Sequence, residues 1–243
     1  MFSYIEGRNA VAEAIKQEKN IDHILLQKGE RKGSIIKIVN DANKKGILIK
    51  EVDKSKLDKI SETSNHQGVI AYINDYEYSS VEEILEYAKS KDEAPVVLIL
   101  DGITDPHNLG AIVRTAVASG VHGVVIGKRR SVSVNSTVHK VSVGAVMNMR
   151  IARVTNITNT IKELKKHGLW IASADMDGDV IYKSDLKGAL GIVIGAEGSG
   201  VGRLVKEQCD FNFSIPMVGD VESLNASVAA SLIMYEVLRQ NNY

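Results

Sequence analysis

The chain has 243 residues, 44% of them hydrophobic, with three prolines and one cysteine, and its 30 Lys and Arg are balanced by 30 Asp and Glu. That is enough chain for one large domain, or a small and a medium one, with a sizeable core. No apolar run approaches the roughly 18 to 20 residues of a membrane span, and Glu6, Arg8 and Glu13 stand where a secretion signal needs an apolar stretch, so a soluble cytoplasmic protein is expected. A single cysteine excludes an internal disulfide framework and a cysteine-built zinc site. Cys209, with no His or basic partner to activate it, reads as a buried small hydrophobe.

In chain order, the periodicity predicts a helix over 7–16, a strand over 21–26, a helix over 34–44, a strand over 47–52, a helix over 54–61 and a strand over 69–73. This is a compact α/β unit. The stretch 74–80 breaks the pattern, so a boundary is expected near residue 75, with residues 76–93 as a linker and connecting helix (81–89) and residues 94–243 as the second domain. There the buried-looking strand Val96-Val97-Leu98-Ile99-Leu100 opens a series: helix 108–119, strand 123–126, helix 156–167, strands 170–174, 190–194 and 211–215, and a last helix over 225–240. Strands separated by helices imply a parallel sheet, and the fold class is α/β throughout. No repeat or low-complexity tract interrupts it.

Zero net charge argues against a nucleic-acid partner, but the distribution argues for one. Between Asp105 and Glu163 there is no carboxylate, while Arg114, Lys128, Arg129, Arg130, Lys140, Arg150, Arg153 and Lys162 fall inside that stretch, with His107, His122 and His139. A solvated face could be written this way; a polyanion-binding region is the simpler reading.

Three segments carry chemistry. In the first, Asp105-Pro106-His107-Asn108-Leu109-Gly110, Pro106 delays the helix after the strand, Asn108 can cap it, and Gly110 admits a close backbone or ligand. Arg114 then lies nearly two turns in, either snorkelling or aimed at an anion. The second, residues 191–202, runs from a strand into a loop with five glycines in twelve residues and one carboxylate, Glu197. It could wrap a cofactor, yet it has neither a Walker lysine nor G-x-G-x-x-G with a long βαβ unit behind it. The third, Ile215-Pro216-Met217-Val218-Gly219, is a strand end and a glycine turn leading to Ser223, Leu224 and Asn225 at a helix start. There short polar side chains meet free N–H groups, although ordinary N-caps look the same.

Taken in order, Asn108-Leu109-Gly110 with Arg114, Ile194-Gly195-Ala196-Glu197-Gly198, and Ile215-Pro216-Met217 with Glu222-Ser223-Leu224-Asn225-Ala226-Ser227 resemble the SpoU, or TrmH, family of RNA ribose 2′-O-methyltransferases in the SPOUT superfamily. The resemblance covers about residues 94 to 243. Ile5-Glu6-Gly7-Arg8-Asn9-Ala10-Val11 and His66-Gln67-Gly68-Val69-Ile70-Ala71 are similar to the L30e-like RNA-binding extension of bacterial rRNA members, of the 23S rRNA guanosine type.

The resemblance implies S-adenosylmethionine as methyl donor, a C-terminal trefoil knot and a homodimer, with RNA, most specifically 23S rRNA, as partner and neither DNA nor membrane. It places the cofactor against Gly195, Ile215, Met217 and Leu224, and assigns catalytic positions to Asn108, Arg114, Glu197, Ser223 and Asn225, with no metal. The same motifs serve tRNA and antibiotic-resistance methylation. A non-catalytic RNA-binding module and a nucleotide-binding enzyme of another class are the remaining readings.

Overall fold

A computed structural model describes residues 2–29, 32–63, 65–74, 76–220 and 223–242. The chain divides into two compact units, residues 1–77 with 133–136, and residues 78–132 with 137–243. Among the described residues no helix is long and apolar enough to cross a membrane.

The first unit runs β1 (Phe2–Glu6), α1 (Arg8–Lys16), β2 (Ile21–Gln27), α2 (Ser34–Lys44), β3 (Leu48–Val52), α3 (Lys54–Ile60) and β4 (Val69–Asn74). Its sheet order is β1-β4-β2-β3, antiparallel except for β2 with β3. The central strand β4 reads apolar almost throughout because both its faces are covered. Val69, Ala71 and Ile73 pack with Val11, Ile15, Ile35 and Ile38 of α1 and α2, while Ile70 packs with Leu25 and with Leu57 of α3. The two signature segments of this unit meet: the backbone N–H of Arg8 donates to Gln67 Oε1, and its Nε to the Gln67 carbonyl, both at 3.0 Å.

The second unit begins with α4 (Val81–Ser90), started by a full capping box between Ser80 and Glu83. Although sequence spacing makes 81–89 a connecting helix, its Val81, Ile84 and Ala88 are buried, and Val81 and Ile84 join the core of the large sheet. The chain continues through β5 (Val96–Asp101), α5 (Pro106–Ala118), β6 (Gly123–Gly127), α6 (Ser136–Val141), a 3-10 turn (Ala145–Asn148) and β7 (Ile151–Val154). Then come α7 (Ile157–Lys166), β8 (Trp170–Val180), β9 (Leu190–Gly195), α8 (Arg203–Lys206), β10 (Phe211–Ser214) and α9 (Ala226–Asn242). The six strands are all parallel in the order β10-β8-β9-β5-β6-β7. The continuous apolar runs of β5 and β9 follow from this, since Val97 to Leu100 and Leu190 to Ile194 are covered on both faces.

Strand order determines where a ligand can enter. From β5 the chain moves to β6 on one side, and from β9 it moves to β10 on the other, so the connections diverge between two neighbouring strands. The crevice outside the carboxyl ends of β5 and β9 is a topological switch point. Asp101 and Gly195, the last residues of the two strands, are register partners there.

The last helix is fastened at its far end. Glu236, buried, accepts both Nε and Nη2 of Arg239 at 2.9 and 2.8 Å and Nε2 of Gln240 at 2.7 Å. Gln240 and Asn241 then hold the backbone of Ser184, Leu186 and Gly188. The Arg239 guanidinium keeps the Glu236 carboxyl below the usual glutamate range. A depressed folded-state pKa stabilises above the unfolded value, about 4.3, and that contribution fades as pH falls through the folded value. Glu236→Gln is therefore expected to lose melting temperature less steeply than wild type between roughly pH 6 and pH 3, as read by scanning calorimetry; equal slopes would contradict this.

Candidate active site at the switch point

The helix after β5 starts two residues earlier than the sequence suggests. Pro106 is its first residue and Asp105 its cap, accepting the His107 N–H at 2.9 Å. Proline is suited to that position because the first helical N–H has no partner to lose. The Asn108 side chain is thereby released from the capping role expected of it. It sits on the inner face of α5, buried. Gly110, two residues further along, is needed for close approach: a Cβ there would lie 2.7 Å from Val141 Cβ and 3.2 Å from the Val138 carbonyl.

Asn108, Glu197 and Asn225, 89 and 117 positions from the first to the others, form a closed triangle. Asn108 Nδ2 donates to Glu197 Oε1 at 3.0 Å, and Asn225 Nδ2 donates both to Asn108 Oδ1 at 3.0 Å and to Glu197 Oε1. The same carboxylate oxygen accepts the backbone N–H of Ala226 at 3.2 Å, at the start of α9. Asn225 meanwhile caps that helix: its Oδ1 accepts from Ser227 N at 3.0 Å, Val228 N at 3.3 Å and Ser227 Oγ at 2.6 Å. Asn225 can cap the helix and join the triangle at once, because an amide has an acceptor for the helix and two donors, one for Glu197 and one for Asn108. Aspartate would cap as well but would set a second negative charge against Glu197.

The loop that carries Glu197 is held in shape by its glycines and by one strand-end carboxylate. A Cβ on Gly195 would fall 2.1 Å from the Gly200 backbone, so only glycine lets the loop fold back on itself; Gly200 N–H donates to the Ala196 carbonyl at 2.9 Å. Asp101 Oδ2 accepts the Gly202 N–H at 2.8 Å and closes the loop onto the end of β5. Asp101 was not singled out from the sequence, although an Asp-Gly pair at the carboxyl end of a buried strand is a usable signal.

Arg114 and Ser223, the other two catalytic expectations, are exposed and have no hydrogen bond to the triangle. Ile215, Met217 and Leu224 are half-buried, and Met217 and Leu224 have no backbone hydrogen bond to the described protein. Gly219 is not left-handed, and a Cβ there would meet nothing within 4 Å, so neither backbone conformation nor close approach requires glycine at that position. Cys209 is half-buried and its thiol is pushed up to about 11 by burial, which leaves no thiolate for nucleophilic work at neutral pH.

Residues 95–235 match the SpoU rRNA Methylase family, and residues 4–79 match the domain described as RNA 2'-O ribose methyltransferase substrate binding. The chain belongs to the SpoU family. It is 52% identical over 240 residues to a TrmH family tRNA/rRNA methyltransferase candidate of Staphylococcus saprophyticus, covering 98% of this chain and 96% of that one. It is 45% identical, with the same coverage, to the corresponding YacO protein of Bacillus subtilis. In fold it is similar to AviRb from Streptomyces viridochromogenes, a SpoU methyltransferase solved with AdoMet, with a TM-score of 0.63 at 21% identity, covering 98% and 90% of the two chains. The α/β fold with its parallel sheet and the family reading are therefore borne out, and the chain is an RNA methyltransferase of that family.

The residues of this chain offer a fit for the AdoMet that AviRb holds. Half-buried apolar side chains at 215, 217 and 224 offer walls for an adenine ring, and unpaired backbone groups at 217 and 224 can read its polar edge. A cofactor held through backbone groups and apolar walls would depend on loop position more than on side-chain identity. Asp101→Ala, which frees the Gly202 N–H, is expected to weaken S-adenosylmethionine binding by about 1 kcal/mol, roughly fivefold. Asp101→Asn keeps an acceptor oxygen and should bind within about twofold of wild type; calorimetric titration of both separates them, and equal losses would sink the latch.

Proposed function

We propose that the protein methylates a ribose 2′-hydroxyl of RNA, a guanosine of 23S rRNA being the substrate, and that it works as a homodimer. The observation that carries this is the closed Asn108–Glu197–Asn225 triangle at the switch point, with the uncommitted cation Arg114 on the same helix as Asn108. S-adenosylmethionine, when bound, supplies an activated methyl group. What remains for the protein is to place the ribose hydroxyl in line and to ease loss of its proton.

Arg114 suits the second task. It lies six residues beyond Asn108, about 9 Å along the helix and about 120° around it, so it cannot join the triangle and faces outward. A guanidinium keeps its charge, so its role is to bind the phosphate beside the target ribose and lower the cost of the alkoxide. Asn108, Glu197, Ser223 and Asn225 hold the nucleotide, and Gly195, Ile215, Met217 and Leu224 hold the cofactor. The N-terminal unit grips a neighbouring part of the RNA.

A dimer is supported by an apolar stripe on α9. Val228, Leu232 and Tyr235, spaced as one helix face, are 48%, 47% and 52% exposed, and α9 packs along α5, which bears Arg114. Such a stripe beside the site is economical if a second copy covers it.

Labelled S-adenosylmethionine with unmodified large-subunit rRNA should leave one alkali-resistant linkage, since a 2′-O-methyl removes the hydroxyl that alkaline cleavage needs. Transfer to tRNA alone would replace the substrate, and no transfer to either would remove the reading. Arg114→Ala should retain cofactor binding and lose about 10²-fold or more in transfer rate; an unchanged rate would refute its role. Leu232→Glu should halve the mass in light scattering and abolish transfer, whereas a wild-type monomer would overturn the dimer.

A further inference from the structure

We propose that the turn Lys128-Arg129-Arg130 is a clamp for the RNA phosphodiester backbone at the mouth of the active site, a proposal that rests on the RNA methyl-transfer reading. Parallel strands sort the basic stretch 106–162 into two ends. Arg150 and His122 precede β7 and β6 and so lie at the amino ends, where the Arg150 guanidinium stacks 3.4 Å from the Tyr87 ring centre and His122 pairs with Glu93 at 2.9 Å. Lys128, Arg129 and Arg130 follow β6 and lie at the carboxyl end, beside the exit of β5 that leads to Asn108.

The turn has a rigid base and free side chains. Lys128 N–H donates to the Val154 carbonyl at 2.7 Å, and Val132 N–H and Ser131 Oγ donate to the Ile103 carbonyl at 2.8 and 3.3 Å. Ile103 is itself buried and stands five residues before Asn108, so the turn is tied to the segment that sets the triangle. Gly127 lets the chain double back, a Cβ there meeting the Arg129 carbonyl at 3.0 Å, and Arg130 is left-handed at φ 55°.

All three side chains are exposed, and none forms an ion pair with a carboxylate among the described residues. In the same unit Lys165, Lys206, Arg203 and Arg239 each have one. Three adjacent like charges with a left-handed arginine work against stability, so a loop that served only to connect β6 onward would be better built without them. Their arrangement at a nucleic-acid enzyme's entrance suits a row of phosphates, each cation exchanging counterions with the strand.

The test compares Arg129→Ala/Arg130→Ala with Arg129→Lys/Arg130→Lys in the full chain. The probes are unmodified large-subunit rRNA and tRNA transcripts, with binding measured across a salt series. Loss of two phosphate contacts should flatten the slope of log K against log salt by about 1.4 for a single strand, and raise KM for RNA on the order of tenfold. Both kcat and S-adenosylmethionine affinity should be unchanged, the latter also certifying the fold. The Lys pair should keep the wild-type slope. An unchanged slope and KM in the Ala pair, or equal losses in both pairs, would overturn the clamp. Absence of methyl transfer by wild type to either RNA would instead overturn the activity, while the slopes still decide the clamp.

Discussion

One carboxylate oxygen organises the second unit's site. Glu197 Oε1 gathers an amide from α5, an amide from the turn before α9, and the first backbone N–H of α9. The three motifs are far apart in sequence, and that oxygen is where all three meet, beside the direct bond from Asn225 to Asn108. An acceptor with a full negative charge makes these hydrogen bonds stronger than neutral ones, and the helix N-terminus adds its own favourable field. The glycines of the 195–202 loop and the Asp101 latch serve the same end, since they determine where the carboxylate stands.

The sheet explains why these parts meet. A switch point exists because β5 and β9 are neighbours whose exits diverge, and every parallel strand delivers its carboxyl end to one side. The same polarity divides the basic stretch into residues that can reach a substrate and residues that brace the opposite end. Charge counted along the sequence cannot make that division. Arg150 counts equally with Arg129 in composition, yet one is stacked on Tyr87 and the other is exposed without a carboxylate partner.

Much of this was legible beforehand, and the limits have physical causes. The buried strands 96–100, 123–126 and 190–194 are read almost to the residue because parallel strands covered on both faces are written as unbroken apolar runs. Asn108, Glu197 and Asn225 are candidates on sequence alone, but their triangle is a long-range fact that no local pattern contains. The N-terminal strand Phe2–Glu6 and the short β7 were not expected, since each is brief and lacks a clear alternation. The start of α5 lies two residues before its sequence-based position because Pro106 is a first helical residue and not a breaker. Because Asp105 takes the cap, both the oxygen and the nitrogen of Asn108 are available to Asn225 and Glu197.

Asn225 shows how tightly one residue type can be specified. Its oxygen must accept from the α9 backbone, and its nitrogen must donate to both Glu197 and Asn108. Serine can cap but has a single oxygen for both tasks, and aspartate has no donor. The outward position of Arg114 follows from the same economy: were it within reach of Glu197, the carboxylate would neutralise it, and the cation would have little left for a phosphate. Helix geometry prevents this, since six residues turn the arginine about 120° away from the asparagine. The site thus keeps its carboxylate engaged by internal amides and leaves Arg114 exposed on another side of the helix, a division enforced by backbone spacing.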